Sequence, residues 1–377
     1  MKILHLLGAQ EDTGGILSLI RALHTVGAEH GCEHFVWVNR HYQETRQPAL
    51  AYYYSRHLVA ESPNHLKLAW RAGRALGELG RLCRQERFEV LHAHSRGAFL
   101  VAVAVAAIWR RAVLFTNHAY ARHVGLYRWA ARHPRFYTSL LTPNMARHYG
   151  LRLNAPRLAV VSNCCADRFF TAPLVSRRSA PNGGGTIRLV GLGDIVRWKN
   201  WHLLLEALGR LDKLERQRLE FHHWGPIPSV PDCQAYAREL AQRAQALGDR
   251  QRFLFHGPAL AVEAVEAVLR EADWCVVPST NEPFSIALIE GLALGVPGLA
   301  SASGGPMDII QPGATGLLFE PDNAADLAQK LRQALSGVPG LASPAECRQS
   351  VQHRRASVVA GQFLDIYRQI AQPGAPS

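Results

Sequence analysis

The sequence predicts an α/β protein built as two doubly wound domains. Short apolar runs alternate with helix-patterned stretches in both halves, the signature of parallel sheets with crossover helices. Most of those runs end in glycine, histidine or other polar residues, and open parallel sheets bind ligands at the C-terminal ends of their strands, facing a cleft. The length, 377 residues, suits two domains of common size, and 48% apolar residues without a long low-complexity tract mark a globular chain. The expected division is 1–173 for the first domain, 186–352 for the second and 353–377 for a last helical segment. The polar, Pro- and Gly-bearing stretch Leu174–Gly185 reads as the linker.

Along the chain, Lys2–Gly8 reads as a strand, followed by Gly14-Gly15 and a helix from Ile16. Glycines there let a ligand approach backbone N–H groups at a helix start. His34–Asn39 is a second strand. Asn64–Phe88 has a helical pattern with Leu66, Trp70, Leu76, Leu79 and Leu82 among its apolar residues and Lys67, Arg71, Arg74, Arg81 and Arg84 around them. Glu89–Ser95, Val113–His118, Tyr137–Asn144 and Leu158–Asn163 are further strands, and Ala98–Trp109 is a buried helix. The second half offers strands at Thr186–Gly193, Leu219–Gly225, Arg252–Gly257, Trp274–Pro278 and Gly298–Ala300, with helices over Ser285–Leu294, Ala324–Leu335 and Val358–Ala371.

Composition narrows the classes. The start, Met1–Leu7, is too short for a signal peptide and reads as a strand. The run Ala98–Trp109 falls short of the ~20 residues that span a bilayer. Seven cysteines without C-x-x-C spacing indicate neither a disulfide framework nor a zinc site, and fit a reducing cytoplasm. His92 and His94 share one side of an extended strand, but no third ligand is evident near them, so no metal is expected. Residues 1–170 hold 22 Lys+Arg and 10 Asp+Glu, or +12, while residues 171–377 hold 20 of each. A basic first half suits an anionic partner such as a membrane surface, an acidic glycolipid or nucleic acid. The basic helix pattern at 64–88 suits a bilayer surface or a solvated face, and the charge of its domain favours the bilayer.

The stretch with most chemistry is Asn281–Gly305. Glu282 lies in the loop after the Trp274–Pro278 strand; Pro283 marks a helix start; Glu290 lies about two turns into the helix. A helix N-terminus attracts phosphate, and two carboxylates along one helix can grip two hydroxyl-bearing ends of a ligand. A sugar, a diphosphate and a ribose in series match this spacing.

E-P-F-S-I-A-L-I-E-G-L-A-L-G-V-P, with S-x-S-G-G-P-x-D-I-I and G-x-T-G-L-L-F-E-P-D after it, resembles the E-x7-E signature of the family 4 glycosyltransferases, retaining enzymes of GT-B fold. The match extends over about forty residues of sequence and is specific for that reason. The resemblance implies a GT-B fold with a C-terminal helix crossing back to the first domain. It implies Glu282, His118, Lys199 and Arg197 as catalytic residues. Donor binding falls to Gly15, Phe284, Ser285, Ile286 and Glu290, and acceptor binding to Gly14, His94 and Arg122. Lys199 aligns with the family lysine that contacts the diphosphate. Asp194 stands where the family has arginine, and Arg197 is near enough in sequence to replace it. Phe255-His256-Gly257 and the residues after it look like the base-contacting loop.

The implied function is transfer of a sugar from a nucleoside diphosphate sugar, UDP preferred over GDP, to a glycan or glycolipid hydroxyl in cell-surface polysaccharide or lipopolysaccharide synthesis. The donor is a co-substrate; neither a cofactor nor a metal is expected. The implied location is cytoplasmic, on the inner face of the membrane. A nucleotide-sugar epimerase of similar fold would need no acceptor. A non-catalytic nucleic-acid binder would use the basic half, yet the chain has no recognised nucleic-acid module.

Overall fold

The computed structural model describes residues 1–12, 14–45, 49–176, 185–248, 252–257 and 262–372. The chain divides into two compact units, Met1–Cys164 with Ala356–Ser377, and Cys165–Arg355. The division thus falls at Cys164–Cys165, ahead of the expected linker, much of which (177–184) lies outside the described residues.

The first unit is a seven-stranded sheet. Its strands are β1 (Lys2–Leu6), β2 (Glu33–Asn39), β3 (Ala51–Ser55), β4 (Val90–Ala93), β5 (Val113–Asn117), β6 (Phe136–Leu140) and β7 (Leu158–Val160), in the order β3-β2-β1-β4-β5-β6-β7. Every pairing is parallel. Side chains of a strand alternate between faces, and each face has its own core. Leu4, Leu6, Leu91, Ala93, Val113 and Phe115 pack with the helices His65–Gln85 and Arg96–Ile108. Ile3, Val90 and Leu114 pack on the other face with Leu19 and Leu23 of the helix Gly15–Ala28 and with Phe363, Leu364 and Tyr367 of the C-terminal helix Ala356–Ala371. That last helix is therefore an integral part of the first unit.

Three local readings change. The strand expected over Tyr137–Asn144 ends at Leu140, because Pro143 opens a helix, Pro143–Tyr149. Strand β3, at the sheet edge, carries no clean apolar alternation to announce it. On the helix His65–Gln85 the buried stripe is Leu68, Ala72, Ala75 and Leu79, while Leu66 and Trp70 are 84% and 60% exposed. Two of the large apolar residues of that helix pattern therefore face outward.

The second unit is a six-stranded parallel sheet: β8 (Ile187–Leu192), β9 (Leu219–Trp224), β10 (Phe253–Phe255), β11 (Trp274–Val277), β12 (Gly298–Ser301) and β13 (Gly316–Phe319), ordered β10-β9-β8-β11-β12-β13. Leu189, Trp201, Leu204, Phe221, Tyr236, Val276, Leu299, Phe319 and Leu327 fill its principal core. Both units are thus doubly wound α/β folds.

Candidate active site

In the second unit the chemistry collects where β8 and β11, neighbours in the sheet, end. After β8, Gly193 adopts φ 143, a conformation that suits glycine alone, and the chain turns into a short 3-10 segment, Arg197–Lys199. Asn200 follows in the left-handed region, and its amide donates to Asp322 at 2.8 Å. After β11, Glu282 is 6% exposed. Its Oε2 accepts from Lys199 Nζ at 2.6 Å and from Ser279 Oγ at 2.9 Å. The Lys199 ammonium also lies 4.5 Å from the centre of the Trp198 ring. Thr280 N donates to the Trp198 carbonyl at 2.9 Å, which ties the two loops together by backbone as well as by charge.

The loop at Ser303-Gly304-Gly305 closes over the same place. Gly305 N donates to the Glu282 carbonyl at 2.7 Å, and Ser303 Oγ donates to the Ser279 carbonyl at 3.0 Å. A Cβ on Gly305 would stand 2.5 Å from Phe284 Cα, so only glycine permits this approach. Phe284 is buried, with the Arg354 guanidinium 5.2 Å from its ring centre.

The helix Ile286–Leu294 begins after Ser285, whose hydroxyl accepts from Leu288 N. Ser285 and Ile286 therefore present the helix N-terminus. Glu290 is the fifth residue of this helix, little more than one turn in and not the two expected, because the helix starts after Ser285 and not at Pro283. It is partly buried, and burial pushes its carboxyl up to about 8. Arg197 does not join Lys199. Its guanidinium is held by Glu239 at 2.9 Å and lies 4.9 Å from the Tyr236 ring centre, with 62% of the side chain exposed. The expected replacement of the family arginine by Arg197 is not realised in this geometry.

Sequence reasoning passed over an aromatic stack beside the Phe255–Gly257 stretch. Trp224, at the end of β9, lies 4.3 Å from His256 ring to ring, at 15°, and His222 Nδ1 is 3.0 Å from His256 Nε2. His222 and Trp224 are two apart on one strand face, and that spacing is the signal by which the pair could have been found.

In the first unit, Gly14 caps the helix Gly15–Ala28 at φ 81, ψ 171, and no side chain caps it. The loop before it is anchored by a buried ion pair, Arg21 to Asp12 at 2.9 and 2.7 Å, with Thr45 N donating to Asp12 at 2.9 Å. Gly15 is reached by Asn163, whose amide donates to its carbonyl at 3.4 Å.

His118 follows β5 and is half-buried, but it does not stand alone. His94 Nδ1 lies 3.2 Å from His118 Nε2, and His94 Nε2 lies 2.8 Å from His5 Nδ1. His5 Nε2 in turn lies 2.8 Å from His34 Nδ1. His92 is bonded separately, to Tyr367 at 2.8 Å and Thr116 at 2.7 Å. His94 is 2% exposed with both ring nitrogens taken, so it supports His118 and cannot itself touch an acceptor, contrary to expectation. Arg122 is exposed in the loop after β5, outside this group.

The third histidine missing from the sequence reading is His5, on the neighbouring strand. One ligand-capable atom from each of His5, His92 and His94 lies within 4.8 Å of the others. All six ring nitrogens of the three are already engaged in hydrogen bonds within the protein.

Comparison with known proteins bears on the family and the fold. The family model described as Glycosyltransferase Family 4 matches residues 13–178, and that described as Glycosyl transferases group 1 matches 176–351. A D-inositol 3-phosphate glycosyltransferase of Geodermatophilus obscurus is 36% identical over 197 residues, 50% of this chain and 42% of the relative. A lipopolysaccharide 1,6-galactosyltransferase of Salmonella typhimurium is 30% identical over 31% of this chain and 32% of its own length. The matches thus span less than half the length of these curated relatives. Among solved structures, the sucrose-phosphate synthase of Thermosynechococcus elongatus superposes with TM-score 0.80 at 18% identity, covering 98% of this chain and 99% of that one. Anabaena HepE in complex with UDP and glucose follows at TM-score 0.73 and 18% identity, covering 98% and 99%. Two parallel α/β units and two family models that together cover residues 13–351 lead to one conclusion: the chain belongs to the family 4-type glycosyltransferases of GT-B fold.

Proposed function

We propose that this protein transfers a sugar from a nucleoside diphosphate sugar, a UDP-sugar in preference to a GDP-sugar, to a hydroxyl of a glycan or glycolipid in cell-surface polysaccharide or lipopolysaccharide synthesis. The observation that carries the reading is the Lys199–Glu282 pair at 2.6 Å, at the C-terminal ends of β8 and β11. A fixed ammonium beside a helix N-terminus suits the charge that develops on a leaving diphosphate. Glu282, with the backbone of Phe284 and Ser285, would hold donor sugar hydroxyls, and Glu290 the ribose diol. Gly14, Gly15 and His118 would serve the acceptor and the transferred sugar. The lipopolysaccharide galactosyltransferase relative and the UDP complex of a like-folded protein support the acceptor and donor classes.

The bond between the sugar and the diphosphate breaks while the acceptor oxygen attacks from the same face. The leaving phosphate oxygen takes the acceptor's proton, so the anomeric configuration is retained. UDP is expected to raise the melting temperature of the protein by mass action. In Glu290→Gln, which keeps the shape but cannot ionise, UDP affinity at about pH 9, where the parent carboxyl is charged, should fall about 10- to 100-fold, the worth of a charge-assisted hydrogen-bond pair. Isothermal titration with UDP, and the anomer formed from a UDP-sugar panel read by proton NMR, test both statements. An inverted product would end the retaining assignment; full-strength UDP binding by Glu290→Gln would end its role.

Among the described residues no helix is long and apolar enough to cross a membrane. We further propose surface attachment through the first unit. Leu66 and Trp70 stand exposed among Lys67 and Arg74, and Leu126 and Trp129, 43% and 45% exposed, stand beside Arg128 and Arg132 on the helix Gly125–Arg132. Both helices pack on the same core cluster of the sheet, through Ala75 and Leu79 and through Tyr127 and Ala130. Exposed Leu and Trp flanked by cations fit the interfacial zone of an anionic bilayer. The double variant Leu66→Ser/Trp70→Ser should lose about ten-fold or more in co-sedimentation with phosphatidylglycerol vesicles, with binding of the parent weakened by salt. Equal sedimentation of variant and parent would remove the proposal.

A further inference from the structure

Four histidines that lie far apart in sequence come together because of strand order. The order β2-β1-β4-β5 places His34, His5, His94 and His118 in sequence across the sheet. His5 pairs in register with His92, and His34 with Ile3, two residues before His5. With side chains alternating between faces, His5 shares the face of Ile3, His94 that of Val90, and His118 that of Leu114. This is the face covered by the helix Gly15–Ala28 and the C-terminal helix.

The contacts run head to tail. His34 Nδ1 meets His5 Nε2, His5 Nδ1 meets His94 Nε2, and His94 Nδ1 meets His118 Nε2, at 2.8, 2.8 and 3.2 Å. A neutral imidazole has one N–H and one lone pair. Burial keeps these rings neutral: it holds His5 and His94 well below the ordinary histidine range, and His34 and His118 down at about 3. Three links between four neutral rings can be satisfied in only two ways: all four carry the proton on Nδ1, or all four carry it on Nε2.

We propose that His34, His5, His94 and His118 form a single imidazole relay whose tautomers move in unison, so that the far end of the chain decides whether His118 presents an N–H or a lone pair from its Nδ1. In the all-Nδ1–H state His118 donates to a hydroxyl oxygen; in the all-Nε2–H state it accepts from a hydroxyl. Conversion is balanced. When a proton from water or a hydroxyl enters at His118 Nδ1, each ring passes its Nε2 proton to the Nδ1 of the next, and one proton leaves His34 Nε2 for water. Three N–H bonds break within the links and three form. His34 Nε2 is buried and carries no hydrogen bond. It belongs to the ring that lies edge-on to His24, 6.4 Å between centres, and His24 is only partly buried. Exchange of the proton with water is therefore assigned to this end, past His24. His94, His5 and His34 are positioning residues, since they act through His118; the consequence for turnover rests on the proposed function, but the tautomers do not.

Long-range proton–nitrogen correlation spectra of the full-length, nitrogen-15-labelled protein at pH 7.5 test the relay without an activity assay. The expected result is four neutral rings of one common tautomer. One ring of opposite tautomer, or one doubly protonated ring, would overturn it. In His5→Phe the chain is cut between His34 and His94, and the His118 signal should become a mixture of tautomers. His92→Phe, which alters a ring 3.9 Å from His94 but outside the chain, should leave His118 in its single tautomer. A His118 signal unchanged in His5→Phe, or equally disturbed in both variants, would refute the proposal.

Discussion

Lys199→Met is expected to lower turnover by about 10²- to 10³-fold, the cost of removing one preorganised charge from a developing anion. The same change also removes the cation paired with Glu282, a residue that is 6% exposed and keeps Ser279 Oγ as partner at 2.9 Å. Breaking a buried pair from one side costs about 3–5 kcal/mol, because the remaining charge is left uncompensated. Loss of activity and loss of stability are therefore mixed in the single variant. Lys199→Met/Glu282→Gln separates them. A neutral amide at 282 needs no counter-charge and can still accept from Ser279, so most of the melting temperature should return. Turnover should stay low, since both groups assigned to the donor are gone. Melting curves and kcat on the two variants check this. A double variant that recovers its fold and its rate together would show the pair to be structural, and a single variant with wild-type kcat would show that Lys199 does not serve the leaving group.

Much of this second-unit geometry was legible because it is local. Asn281–Gly305 contains its own strand end, helix start and glycine loop, so spacing alone set Glu282 ahead of the helix and Glu290 on it. The Lys199–Glu282 contact spans much of the unit, yet each residue was found separately as the polar end of an apolar run. What failed were the readings that depend on which strands become neighbours. Arg197 looked as close to the diphosphate as Lys199, but a side chain two positions away in a 3-10 turn points elsewhere, and Glu239 holds it. His94 looked like an acceptor ligand because sequence cannot show that His5 lies on one side of it and His118 on the other. His5 and His34 read as ordinary strand residues; only the order β2-β1-β4-β5 makes them part of the site. The pattern of the helix His65–Gln85 did not say which of its apolar residues pack, because one helical pattern admits two stripes, and small Ala72 and Ala75 form the stripe that does.

The histidines of the first unit also set its response to acid, and the effect should be large. His5, His34, His92 and His94 are 0%, 2%, 0% and 2% exposed, and burial holds all four well below their unfolded value of about 6.5, His34 at about 3. Their folded pKa values are depressed, so below about pH 6.5 the unfolded chain binds protons that the folded chain refuses. Stability present above that pH is lost as the pH falls towards 3. Each such group costs up to about 1.4 kcal/mol per pH unit in this window, so four together remove on the order of 5 kcal/mol by pH 5.5. Among the described residues no carboxylate forms an ion pair with these rings to offset the charge; their neighbours include Tyr367, Thr116, Phe363 and His24. The second unit should respond differently. Among the described residues its one fully buried imidazole is His223, held at about 3, and Glu290 works in the opposite sense. With its carboxyl raised to about 8, Glu290 gives stability below its unfolded value near 4.5 that fades as the pH rises through 8. Between pH 4.5 and 6.5 the two terms oppose each other within that unit. Hydrogen exchange read by mass spectrometry resolves the sheets separately. Lowering the pH from 7.5 to 5.5, after correction for intrinsic exchange, should open the amides of β1 and β4 by several orders of magnitude more than those of β8 and β11. Equal loss of protection in both sheets would mean that the four rings are not held neutral, and the relay that depends on their neutrality would fall with them.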